Sequence, residues 1–364
     1  MKTSKRRTSQ SAKLALLAIL ICAISNLALA DGDARVDALF AYLDQGIRPG
    51  AAVLVVRDGK ILHQRGYGYA NLGTKEHITP QSAFRLASVS KQFTAMGIAR
   101  LVDQGKLGLD DLVSRYVPQL AAFPGITIRH LLTHTSGLPD YYDVIDTSAW
   151  VARGEIPGNA DVMAYEGGMG KPLFAPGERY EYSNPAYEAL PLVIEAVTGM
   201  PFREYMAKEV FGPAGMRHSL IHDDTRPAIP NRVLGYSQTE TGFEPDDDDP
   251  LNGITGSGGQ YSTLEDFFAW DQALYTDRLV SPAMLKQIFT SAKLNNGEET
   301  GYGLGWMLDT YHGQRRQHHT GSWVGFRTAI ERYPDLHFTV VVLGNFEQFE
   351  AEQAADQVAD LYLE

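Results

Sequence analysis

The sequence predicts an α/β (α+β) protein: an antiparallel β-sheet flanked by helices, with a mostly helical lobe inserted. Three observations predict it. β-rich runs joined by turn residues lie near both ends of the chain. Helical patterns sit outside those runs at each end. The middle reads as helices broken by Gly/Pro loops, with no internal repeat and no long linker.

The elements follow in order. Residues 1–30 stand apart. Lys2, Lys5, Arg6, Arg7 and Lys13 make a basic start, and residues 14–24 are an apolar run. That run is shorter than the roughly 20 residues a bilayer-spanning helix needs. Ala28-Leu29-Ala30 closes it with the small-x-small form of a cleavage site. The expectation is a signal peptide over 1–30 and a catalytic domain over 31–364. The product would be periplasmic or secreted, with no membrane span left after cleavage. An uncut anchor is the competing reading, and Arg6-Arg7 does not decide the export route.

Residues 33–45 place Val36, Leu39, Phe40 and Leu43 at helical spacing. Runs 51–56 and 61–69 flank Asp58-Gly59, a hairpin signal. The far end mirrors them, with 327–332 and 337–343 around Tyr333-Pro334-Asp335, and a last helix over 349–363. Between them, helices are expected over 92–104, 191–198 and 264–275. Ser262-x-x-Glu265 reads as a capping box for the last of these. The sheet lobe is thus assigned to about 31–85 and 300–364, and the helical lobe to about 86–299.

Composition removes several functions. The chain has 364 residues, 44% of them apolar, which is too many for a disordered protein. Its 32 Lys+Arg against 44 Asp+Glu give a net charge of −12, a poor match to nucleic acid. Loss of residues 1–30 removes five basic residues and takes the charge to −17. The one cysteine, Cys22, goes with them. That leaves no disulfide, no cysteine-based metal site and no cysteine nucleophile.

Three short motifs carry chemistry. Ser88-Val89-Ser90-Lys91 opens an apolar helical run, so Ser88 and Lys91 share a face at i, i+3. A serine hydroxyl needs a group to take its proton, and a desolvated lysine can be that base. The same pattern also fits a capping serine with a solvated lysine. In Tyr182-Ser183-Asn184, a phenol can relay a proton and an amide can hold a substrate carbonyl. In His319-Thr320-Gly321-Ser322, glycine lets a substrate approach a strand edge closely, and backbone N–H groups there can bind an oxyanion. Taken singly, the last two also fit an ordinary loop and an ordinary turn.

Together, in this order, the three motifs resemble the serine β-lactamase and penicillin-binding protein family, and its class C-related hydrolases in particular. Residues 130–138 (HLLTHTSGL), 256–262 (GSGGQYS) and 301–306 (GYGLGW) look similar to segments of those proteins, and the resemblance runs over about 35–345. It implies the β-lactamase/transpeptidase-like fold and an acyl-enzyme on Ser88, with no cofactor and no metal. It further implies Lys91 as proton acceptor and Tyr182 as a relay with a lowered pKa. Asn184 would bind the substrate amide, with Thr320 and Gly321 beside it. The backbone N–H groups of Ser88 and Ser322 would form an oxyanion hole. Lys91 and Tyr182 both stay open as the base.

One departure matters. Class C β-lactamases carry lysine where this chain has His319, whereas several D,D-peptidases and D-aminopeptidases look similar to it there. The expected function is therefore hydrolysis of small amides, D-amino-acid peptides or esters. A true β-lactamase, or a penicillin-binding sensor without turnover, are the alternatives. His319 would gain charge at lower pH and then favour carboxylate-bearing substrates.

Other signals point elsewhere. His130 and His134 have zinc-motif spacing but lack the glutamate of His-Glu-x-x-His, so they read as structural. The acidic run 246–249 reads as a solvated loop. Gly256–Gly259 lacks the ending of a phosphate loop, and no Gly-x-Ser-x-Gly elbow occurs. Tyr141, Tyr142, Trp306 and Trp323 are the aromatics that a cleft could use.

Overall fold

A computed structural model describes residues 33–223 and 228–363. The signal-peptide segment and Cys22 lie outside the described residues. Six antiparallel strands form the main sheet: β1 (Ala51–Arg57), β2 (Lys60–Tyr67), β3 (Met307–Tyr311), β4 (Gln314–Trp323), β5 (Phe326–Tyr333) and β6 (Phe338–Gly344). Their order is β3-β4-β5-β6-β1-β2, so the two ends of the chain meet where β6 pairs β1, Ala51 opposite Gly344.

Strand periodicity explains why this sheet is buried on both faces. Leu54 and Val56 of β1 and Val341 and Leu343 of β6 point into one core. Val53 and Val55, with Val340 and Val342, point into another. Two helices at the chain ends cover the second face, α1 (Ala34–Phe40) through Val36 and Phe40, and α5 (Ala351–Leu363) through Ala355 and Val358. The Asp58-Gly59 hairpin forms as expected. Both residues have positive φ, 50° and 69°, as a two-residue turn between twisted strands requires.

The first face packs on α4 (Leu264–Ala273), and the same core continues into α2 (Lys91–Asp103), which lies against α3 (Asn184–Thr198). α4 is pinned to the sheet by a buried ion pair. Arg332 Nε of β5 donates to Asp271 Oδ1 at 2.9 Å, and Thr339 of β6 donates to the same oxygen at 2.7 Å.

The structure corrects several local expectations. α3 begins at Asn184, not near 191: Ser183 caps it, Pro185 sits in its first turn and Pro191 is tolerated inside. The cap of α4 is Thr263, whose side chain accepts from Asp266 N, one residue later than the expected box. Ser262 belongs instead to a short strand, Gln260–Ser262, paired with Phe84–Arg85 and Leu220–Ile221. A second hairpin, Tyr236–Thr239 with Gly242–Pro245, also lies in the stretch expected to be helical. The acidic run is not simply solvated, because Asp247 pairs with Arg232 at 2.7 Å and accepts from Gly235 N.

Candidate active site

The turn before α2 carries Ser88. A 3-10 turn, Ala87–Ser90, leads directly into the helix, so Ser88 and Lys91 lie one turn apart. Ala87 has φ of +47°, an uncommon conformation for a residue with a Cβ. The turn is held from the sheet. Thr328 of β5 donates to Leu86 O at 2.7 Å, and Leu86 N donates to Gln260 O at 2.8 Å. β4 passes so close that only glycine fits at 321. A Cβ there would sit 2.4 Å from Leu86 O and 3.1 Å from Ser88 N.

Lys91 is fully buried, and its Nζ makes three hydrogen bonds: to Ser88 Oγ at 3.0 Å, Asn184 Oδ1 at 2.8 Å and Ser257 O at 3.0 Å. Burial pulls its pKa down from 10.5 to about 7, against the opposing pull of Glu188 and Asp140. Two of the three partners, a side-chain amide oxygen and a backbone carbonyl, can only accept. A neutral amine has two protons and one lone pair. With both protons committed to Asn184 and Ser257, the lone pair falls to Ser88 Oγ, which is the geometry of a base beside its nucleophile.

Tyr182 lies against the same amine, with Lys91 Nζ 4.8 Å from the ring centroid. Burial pushes its phenol above the ordinary range, with the Ser88 hydroxyl pulling the other way. The expected lowering beside Lys91 is therefore corrected. Tyr182 is 36% exposed as a residue, but its ring packs between the Lys91 amine and the His134 imidazole, and beside an amine that is itself losing its charge the phenol keeps its proton. His134 braces it from below. The imidazole stacks on the Tyr182 ring at 4.3 Å and its Nδ1 accepts from Ser183 N at 3.0 Å.

His319 is buried, and both its ring nitrogens are occupied. Nδ1 donates to Thr320 O at 2.7 Å, which leaves Nε2 to accept from the Tyr302 hydroxyl at 3.0 Å. Burial, with Lys91 nearby, pulls its pKa down to about 3. The expectation that His319 becomes a cation at mildly acidic pH is thus overturned. It remains neutral, 6.1 Å from Tyr182 between ring centroids. Thr320 enters through its carbonyl. Ser322 is exposed and lines the cleft over Ser88, with Asn184 and Ser257. Tyr142, Leu251, Ile254 and Trp323 form the apolar walls, and Tyr142 meets Trp323 edge-on at 5.7 Å. The cleft is tight, about 40 Å³. Trp306 lies in the core instead, packed on Phe289. Larger hollows exist, among them one bordered by Pro157, Glu195 and Phe202, but none of the motif residues lines it.

Comparison with known proteins gives this constellation its context. The Beta-lactamase family model matches residues 36–363. The chain belongs to the beta-lactamase family. Among curated proteins it is 36% identical over 340 residues to a penicillin-binding protein of Bacillus subtilis (strain 168), covering 88% of this chain and 74% of that one. It is 30% identical to a D-aminopeptidase of Gluconobacter oxydans, covering 84% of this chain and 57% of that protein. The chain thus spans little more than half of the D-aminopeptidases it matches. Among solved structures, the octameric penicillin-binding protein homologue from Pyrococcus abyssi superposes with a TM-score of 0.78 at 28% identity, over 90% of this chain and 76% of that one. Membership of this family makes the chain a serine hydrolase.

The sequence motifs named the residues around Ser88 but missed those behind them. Ser257 lies in the glycine-rich segment 256–262, which carries part of the resemblance but to which the sequence assigns no role at the site. Gly256 lets that loop touch α3, since a Cβ there would lie 2.4 Å from Tyr187 O. Glu188 is fully buried and accepts from Tyr141, Tyr142 and Ser257. Its i, i+4 spacing from Asn184 becomes a signal only once the helix is known to start at Asn184 rather than near 191. His130 helps cap the helix Ile128–Leu132, and no group of three or more potential ligands gathers among the described residues.

Proposed function

We propose that this chain is an exported hydrolase that transfers an acyl group to Ser88 and then to water, acting on small amides, D-amino-acid peptides or esters. The observation that carries this reading is the buried Lys91 amine, triply hydrogen-bonded and with its pKa drawn down to about 7, so that its neutral form is well populated at pH 7. Neutral Lys91 takes the Ser88 proton as Oγ attacks the substrate carbonyl. The backbone N–H groups of Ser88 and Ser322 hold the oxygen as it becomes anionic. Asn184 turns its Oδ1 to Lys91, which leaves Nδ2 to donate to a substrate carbonyl. The protonated Lys91, through the protonated Tyr182 phenol, returns a proton to the leaving group. Water then enters by the same route in reverse and frees the acid.

Two observations favour amides and esters over β-lactams. The neutral His319 offers no cation to a β-lactam carboxylate. Several relatives carry the name D-aminopeptidase. The walls formed by Tyr142, Leu251, Ile254 and Trp323 suit a compact apolar acyl group. The deciding experiment is a parallel panel of nitrocefin, short p-nitrophenyl esters, D-alanyl anilides and a D-Ala-D-Ala peptide. Steady turnover of the anilide or ester, with nitrocefin far slower, is expected. Fast nitrocefin turnover would establish the β-lactamase reading instead. One-to-one labelling by a fluorescent penicillin with no turnover on any substrate would establish the sensor.

A further inference from the structure

Glu188 lies four residues after Asn184 on α3 and is fully enclosed. The Tyr141 hydroxyl donates to Oε2 at 2.6 Å, the Tyr142 hydroxyl to Oε1 at 2.6 Å and Ser257 Oγ to Oε1 at 2.8 Å. The two phenol contacts have the short length of O–H donors on a charged carboxylate. Each donor has a second task at the site or next to it. Ser257 gives its carbonyl to Lys91 Nζ, and Ser257 and Tyr142 both line the cleft over Ser88. Tyr141 stacks on Tyr142 at 4.9 Å. One carboxylate therefore gathers a partner of the base and a wall of the cleft, without itself facing the substrate.

We propose that Glu188 is a positioning residue for the acylation step: its carboxylate is the buried counter-charge of the Lys91 amine and, through Ser257 and Tyr142, the brace that fixes the amine's acceptor and the cleft wall together. The proposal rests on the reading of Lys91 as base.

The charged and titratable groups around the pair support Glu188 in that role. From α2 comes Lys91 itself. From the segment before the cleft come Asp140, surface-exposed but with its carboxyl raised by burial and pulling on Lys91 in the same direction as Glu188, and the two tyrosines, held protonated by burial and by Glu188. From the helix Asn159–Met169 comes Glu166, buried with neither oxygen hydrogen-bonded and pushed up to about 8, so it is uncharged at pH 7. His134 and His319 face Lys91 as neutral rings, and Tyr182 and Tyr187 present their ring faces to it. Burial pushes the Glu188 carboxyl above the ordinary range, and the three donated hydrogen bonds and the Lys91 amine pull it back, so the same contacts that brace the site are the ones that favour its charged form.

The test is the pH profile of kcat/KM in Glu188→Gln. Removing the carboxylate charge makes Lys91 easier to deprotonate, so the acid limb moves to lower pH by about one unit. The plateau rate falls as Ser257 and Tyr142 lose their anchor. Glu188→Asp keeps the charge and misplaces the brace, so its limb stays at the wild-type pH while kcat/KM drops. A folded Glu188→Gln protein whose limb coincides with wild type would overturn the proposal. Should that variant not fold, Tyr142→Phe decides: it keeps the carboxylate and removes one of its donors, so KM for apolar acyl groups rises while the limb stays at or slightly above the wild-type pH, and an unchanged KM or a limb moved to lower pH would overturn it. Ser88→Ala and Lys91→Ala run alongside. Activity surviving in them would sink the acyl-serine reading itself, whereas inactive controls with an unmoved Glu188→Gln limb sink only the role given to Glu188.

Discussion

At the scale of single residues, the site is an arrangement of neutral groups around one amine. His319, held near 3, and Tyr182, held above its usual range, both keep their neutral forms through the physiological window. Lys91 is the group that changes charge there. Its neutral form is the base, so kcat/KM for an uncharged ester should rise with pH through about 7 and then level off. A pH–rate profile in which the limb lies near 5 to 6 would return the role to a histidine. The pairing of Ser88 with Lys91 was legible in the sequence, because both residues lie in one helical turn. The direction of the Tyr182 and His319 shifts was not. Each depends on how completely distant strands and helices exclude water, which spacing does not record. Glu188 was hidden for a related reason: it meets Lys91 across 97 positions of sequence.

At the scale of elements, the nucleophile turn is clamped between β4 and β5. Gly321→Ala places a methyl against Leu86 O and Thr328 Oγ1, so the turn must shift. A drop in kcat/KM of about 10²-fold or more is expected from an ångström-scale displacement of Ser88, with the fold retained. Wild-type kinetics in that variant would show that the close approach does not position the turn. The Asp271–Arg332 pair does a different job, tying α4 to the sheet in an enclosed setting. Asp271→Ala strands a buried guanidinium and should cost about 3–5 kcal/mol in chemical denaturation. Loss below about 1 kcal/mol would mean that water reaches the pair. Long elements were legible, since 51–56 and 92–104 repeat their period often enough to be read. The start of α3 was not, because Pro185 and Pro191 look like breakers until the cap at Ser183 is seen. The strands of two to four residues inside the helical stretch are too short to carry a period.

At the scale of the whole molecule, the two ends of the chain build one sheet, and the segment between them returns the nucleophile, the base and the cleft walls to a single edge of it. The sheet with its helices was legible because both hairpins announce themselves locally and alternate residues of β1 and β6 are apolar on both faces. Its assembly with the loop around Ser257 was not, since that contact depends on glycines allowing close approach rather than on any pattern. The central claim is that the intact protein carries its substrate's acyl group on Ser88. Rapid-quench intact-mass spectrometry with a p-nitrophenyl ester, followed by peptide mapping, tests it most directly. A transient mass gain of one acyl group on the peptide containing Ser88, absent in Ser88→Ala together with at least about 10³-fold of the hydrolytic rate, is the predicted result. Full turnover by Ser88→Ala, or an adduct mapped to another residue, would contradict it.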